Sequence, residues 1–111
     1  MTTWKLRITD TAKRDISSAA DYIEYELLNP SAAEALLDET EQAISSLAYF
    51  PYKYQLIDDE LLSRWGLRFI KVRNYLAFYI ISQELQTVTI VRFLYSRSSW
   101  AAILKDGSPL L

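Results

Sequence analysis

The order of hydrophobic periods constrains this chain most. Apolar residues first recur every three or four positions in two stretches, then the pattern changes to dense β-branched and aromatic runs separated by short gaps. In the first stretch Ala12, Ile16, Ala19, Ile23 and Leu27 form one stripe, with Asp15, Asp21 and Glu24 largely off it. Asn29-Pro30 ends it, because the residue before proline avoids the α region. In the second stretch Ala33, Leu36, Leu37, Ile44 and Leu47 form the stripe, and Phe50-Pro51 ends it. Asp10 or Thr11 is the expected cap of the first helix, and Ser31 with Glu34 forms a capping-box pattern opening the second. Two helices joined by so few residues must lie antiparallel as a hairpin.

Residues 67–72, 75–82 and 87–95 read as strands rich in Ile, Val, Phe and Tyr, with Arg73-Asn74 and residues 83–86 as turns. Residues 5–8 alternate as a short first strand, expected at an edge or between the others. Residues 52–66 read as a connection without a strong period. Residues 96–104 form a last short helix docked by Trp100 and Ile103, and a frayed tail is expected from about 105. The expected fold is α+β in the order β-α-α-β-β-β-α, an antiparallel sheet with the helical hairpin packed on one face. All 111 residues suffice for one domain, and half of them are apolar.

The chain has neither Cys nor His. Disulfides, thiolate nucleophiles and Cys-ligated zinc are excluded, as is the usual neutral-pH base. No apolar run approaches membrane-spanning length and no secretory leader is evident, so a cytoplasmic domain without membrane or cofactor is expected. The net charge of −2 hides an asymmetry. Residues 1–63 carry five Lys/Arg against twelve Asp/Glu, whereas residues 64–111 carry seven against two. Solvated helix faces explain the acidic part equally well. The cations of the basic part lie in or beside strands, where that explanation is weaker.

Ser46 to Pro51 (Ser-Leu-x-x-Phe-Pro), Arg68, Asn74 to Ile81 (Asn-Tyr-x-x-Phe-Tyr-x-Ile) and Val88 to Trp100 follow one another in an order and spacing that resembles the RelE/ParE toxin family. The resemblance covers nearly the whole chain. It implies a helical hairpin on an antiparallel sheet and a bacterial growth inhibitor silenced by a cognate antitoxin. One branch of the family cleaves mRNA in the ribosomal A site, and the other poisons DNA gyrase without nuclease chemistry.

Metal-free RNA cleavage requires a base for the 2′-hydroxyl and cations on the phosphoryl oxygens. Arg fills the second role with its planar fork. The candidates are Arg68, Lys71, Arg73, Arg92, Tyr95 and Arg97. Arg68, Arg73, Arg92 and Arg97 would hold phosphates, and Lys71 and Tyr95 would carry protons. Arg68 and Arg97 begin and end the basic run, and the resemblance implies a functional role for both, whereas the other four have a plainer reading. Arg92, between Val91 and Phe93, suits a buried ion pair with a helix carboxylate. Lys71 and Arg73 suit sheet-edge cations, and Tyr95 a packed ring with a bonded hydroxyl. The chain departs from the nuclease branch at Leu76, where an Arg is frequent, at Leu94, where some members have His, and at Ser98-Ser99, where Arg-Asp is common. These departures favour the gyrase branch or an inactive, antitoxin-binding relative as alternatives, while the run of strand cations keeps a ribosome-dependent mRNA endoribonuclease, with the ribosome and mRNA as partners, as the expected function.

Two weaker constellations need only structural explanations. Asp58-Asp59-Glu60 reads as a solvated loop rather than a metal site. Tyr49, Phe50, Tyr52 and Tyr54 read as closing the core where helix gives way to strand rather than as a base-stacking surface. An antitoxin is expected to lay a helix and an extended segment over the basic site or an open sheet edge.

Overall fold

The computed structural model describes residues 3–106. Strand β1 (Lys5–Ile8) leads into helix α1 (Asp10–Asp21), which continues as a π-helical turn (Tyr22–Glu26). Helix α2 (Pro30–Ser46), a 3-10 turn (Pro51–Lys53) and the short helix α3 (Glu60–Arg64) follow. The chain then forms β2 (Arg68–Val72), β3 (Tyr75–Ser82), β4 (Thr87–Tyr95) and α4 (Trp100–Asp106). The α+β order of strand, two helices and a three-strand meander matches the sequence expectation.

The sheet has the order β1-β4-β3-β2. The meander is antiparallel, but β1 runs parallel to β4, with Leu6 opposite Val88 and Ile8 opposite Ile90. The sheet is therefore mixed rather than wholly antiparallel. Four residues of alternating pattern carry no signal for direction, and β1 takes the edge that β4 leaves open.

Both faces of the sheet are covered. Ala12, Ala19, Leu36, Ile44 and Leu47 of the hairpin bury one face with Ile70, Val72, Tyr79, Val88, Ile90 and Phe93. On the other face Leu76, Phe78, Val91 and Leu94 pack with Ile57, Leu62, Leu67 and Leu104, beneath Trp100 and Ile103. This second layer includes α3, in the segment expected to be irregular. A five-residue helix is too short to show a period, and it is held by Leu62 and by the Asp59 cap. The Asp59 carboxylate accepts the Leu61 and Leu62 N–H groups at 3.1 Å each. It also pairs with Lys105 of α4 at 2.7 Å. Lys105 and Asp106 thus close a helix rather than fray, and the rest of the expected tail lies outside the described residues.

The helix starts also differ. Thr9, not Asp10 or Thr11, caps α1 by accepting the Ala12 N–H at 3.0 Å. Asn29 caps α2 by accepting the Ala32 N–H at 3.2 Å, and Ser31 donates to the same Asn29 oxygen instead of forming a box with Glu34. The last helix begins at Trp100, four residues later than expected. Leu27 and Leu37, assigned to the apolar stripes, are exposed.

Candidate functional site

Strand β4 carries a bulge at Val91: Tyr79 faces Ile90, Phe78 faces Arg92, and Val91 has no partner on β3. On its other side β4 outruns β1, whose last pair is Ile8 with Ile90. The start of α1 completes this uncovered edge. The Thr9 N–H donates to the Ile90 carbonyl at 3.0 Å and its hydroxyl to the Val91 carbonyl at 3.1 Å. Nearly two turns later the Asp15 carboxylate accepts the Phe93 N–H at 3.0 Å. The same carboxylate accepts Arg92 Nε at 2.7 Å and Nη2 at 3.1 Å, in a forked pair. The two side chains are 16% and 27% exposed, respectively. Arg92 therefore sits in the ion pair with a helix carboxylate that its strand position suggested.

The other sequence candidates fall into two groups at opposite ends of β2. Arg68 donates to the Tyr54 carbonyl and lies over the Tyr52 ring, 5.2 Å from its centroid. Tyr52 meets Trp4 edge-on and donates its hydroxyl to Gln83 at 2.8 Å. Arg68 thus pins the loop that follows α2. Tyr54 packs partly against the core there, while Tyr49, Phe50 and Tyr52 stay about half exposed. Beside them the buried Tyr79 hydroxyl donates to the Pro51 carbonyl at 2.7 Å, and burial pushes its pKa up to about 12.

Arg73 occupies the β2–β3 turn with φ +55°, roughly 17 Å along the strand from Arg68 at about 3.4 Å per residue. It pairs with Glu39 of α2 at 2.7 Å, with both side chains well exposed. Close by, the Ser96 N–H donates to the Asn74 carbonyl at 2.8 Å, which brings the end of β4 to the same turn. Tyr75 stacks on Phe93 at 5.1 Å and meets Tyr95 edge-on at 5.6 Å. Burial, then the neighbouring Tyr95 and Tyr22, raise the pKa of Tyr75. Tyr95 is partly exposed and Arg97 is exposed, without an ion-pair partner among the described residues. Lys71 is exposed on the edge strand β2 opposite Leu76. The structure therefore gathers Arg73, Tyr95 and Arg97 at one end, separates Arg68 from them, and engages Arg92 elsewhere.

Sequence reasoning singled out Arg92 but not its partner. Asp15 showed only as a polar residue off an apolar stripe, and its role depends on the bulge and the short β1. Among the described residues no three carboxylates converge as a metal site, Asp58-Asp59-Glu60 included.

This fold, a helical hairpin on a mixed sheet whose basic strands lie opposite acidic helices, is that of type II toxins. Residues 6–100 match the family described as the ParE toxin of the type II toxin–antitoxin system parDE, and the chain belongs to that family. Among solved structures it is similar to the toxin–antitoxin complex RelBE2 from Mycobacterium tuberculosis. The identity is 26% over 86% of this chain and 93% of that one, with a TM-score of 0.59. It also shares its fold with a chain of the chromosomal ParDE system from P. aeruginosa. There the identity is 14% over 84% of this chain and 96% of that one, with a TM-score of 0.68. A search of curated protein sequences gave no match. No helix among the described residues is long and apolar enough to cross a membrane.

Proposed function

We propose that this toxin acts by binding DNA gyrase rather than by cleaving mRNA. The observation that carries this reading is the dispersal of the cations. Phosphoryl transfer without a metal needs a base and charge-stabilising groups around one phosphate. Here Arg92 is forked onto Asp15, Arg68 is committed to the Tyr52–Tyr54 loop, and Arg73 is paired with Glu39. Lys71, Tyr95 and Arg97 are left for chemistry, and Lys71 lies along β2 rather than at the end that holds the other two. Leu76 and Leu94, where the nuclease branch often places Arg or His, are both buried apolar residues of the second layer.

Purified protein should inhibit gyrase supercoiling, stabilise gyrase–DNA breaks and leave a defined mRNA intact in cell-free translation. New mRNA 5′ ends in the A-site codon, present only with ribosomes, would overturn the proposal. They would establish the mRNA interferase reading, which draws support from the exposed Tyr95 and Arg97 at one end of the sheet and from the RelBE2 likeness. On that reading the partners are the ribosome and mRNA, and Arg97→Ala relieves growth arrest.

The solved relatives are complexes with antitoxins, and a cognate antitoxin is the partner proposed here. The open outer edges of β2 and β1 are places where an extended segment adds to the sheet. The basic strands steer an acidic segment toward them. The proposed compartment is the cytoplasm, where gyrase works.

A further inference from the structure

Residues 22–28, which close the helical hairpin, break three local rules at once. Tyr22, Tyr25, Leu27 and Leu28 are all exposed, Tyr25 by 65% and Leu28 by 81%. Four large apolar side chains within seven residues are far denser than the scattered exposure normal for a surface. The helix departs from α geometry here, with the Leu27 N–H bonded to the Tyr22 carbonyl five residues back at 3.1 Å. Such π turns occur often at functional sites. Leu28 adopts φ +52° just past the helix end, where Gly or Asn is the usual residue. A leucine there strains the backbone, and its exposed side chain returns almost no packing.

The electrostatics of the tip are one-sided. From residue 15 to residue 52 the sequence holds eight carboxylates and no Lys or Arg. Asp15 and Glu39 are matched by Arg92 and Arg73. Asp21, Glu24 and Glu26, which frame the apolar tip, have no ion-pair partner among the described residues. An apolar centre in an acidic frame does not suit a nucleic acid or an anionic membrane, since both repel carboxylates. It suits an apolar seat within a basic protein surface, with tyrosines as anchors and carboxylates setting orientation and encounter rate.

We infer that the hairpin tip, with Tyr22, Tyr25, Leu27 and Leu28 at its centre and Asp21, Glu24 and Glu26 around it, is the knob that docks into a basic, apolar-centred seat on the toxin's target protein. This deepens the gyrase-directed reading and rests on it. The knob lies on the acidic helical part of the molecule, with Tyr22 at its base neighbouring Tyr75 at the start of β3.

The test uses the full chain with Leu28→Asn, Tyr25→Ser and the double charge reversal Glu24→Lys/Glu26→Lys. Purified DNA gyrase is the probe in a supercoiling and a binding assay, and the cognate antitoxin is the probe in a parallel binding assay. Leu28→Asn suits the left-handed backbone, so it keeps the fold while removing the apolar contact. The expected result is at least a tenfold loss of gyrase inhibition and affinity for each variant, with antitoxin affinity changed less than twofold. Wild-type association with gyrase should slow as salt is raised. Unchanged inhibition by Leu28→Asn and Tyr25→Ser, beside an active wild type, overturns the knob and leaves the gyrase reading intact. Variants that lose the antitoxin but still inhibit gyrase also overturn it, by giving the tip to the antitoxin. A wild type that leaves gyrase untouched defeats the reading itself and this inference with it.

Discussion

Removing the Asp15 carboxylate tests whether α1 completes the open edge of β4. In Asp15→Ala the Phe93 N–H loses its acceptor, and an unsatisfied, largely buried donor costs about 1–2 kcal/mol. Arg92 loses two charge-assisted bonds at 2.7 and 3.1 Å. Breaking a fully buried pair costs about 3–5 kcal/mol, but this pair is partly wetted, so about 1 kcal/mol is the appropriate share. Alanine's better helix propensity returns about 0.5 kcal/mol. The expected net loss is about 2 kcal/mol. Arg92→Met should cost less, about 1 kcal/mol, because Asp15 still accepts the Phe93 N–H. The double variant should cost less than the two single losses combined, by about 1 kcal/mol of coupling. Urea unfolding followed by circular dichroism measures all three, with an unchanged slope showing that stability alone has moved. Asp15→Ala within 0.5 kcal/mol of wild type would refute the edge-completion argument. The same result bears on activity assays, because an Arg92 substitution that relieves growth arrest does so partly by unfolding.

Leu28→Asn should raise stability by about 0.5–1 kcal/mol, a shift of a few degrees in Tm by calorimetry, because asparagine tolerates the left-handed backbone better than leucine. A loss of stability would mean that Leu28 packs in solution. Tyr79 carries a pKa raised to about 12, so its contribution is complete below the ordinary tyrosine value and is lost as pH climbs through 12. The stability difference between wild type and Tyr79→Phe, about 1 kcal/mol near pH 8, should therefore vanish or reverse in alkaline titrations. Asp59 has a lowered pKa, first through its bond from Lys105 and then through the Leu62 N–H. Its contribution is present above the ordinary carboxylate value and disappears as pH falls through the lowered one. Asp59→Asn should accordingly show a shallower loss of stability than wild type from about pH 5 to about pH 2.

The sequence by itself determined the two long helices and the four strands, because periodicity is a local consequence of side-chain burial. The Asn29-Pro30 break and the two short gaps after Val72 and Ser82 set the hairpins for the same reason. The candidate cations were legible as residue types, but not their company. Arg92 could be recognised as needing a partner, yet Asp15, 77 positions away, was chosen by the way α1 crosses the end of β4. The Val91 bulge, the parallel pairing of β1 and the second layer built on α3 and α4 all arise from contacts between distant segments. Local patterns are silent on these because a strand pairs equally well in either direction until the rest of the chain occupies one edge. The tertiary structure decided that Arg68 pins the loop after α2, that Arg92 joins α1 to β4 and that Arg73 forms only a surface pair with Glu39, since each lies beside a different oxygen acceptor.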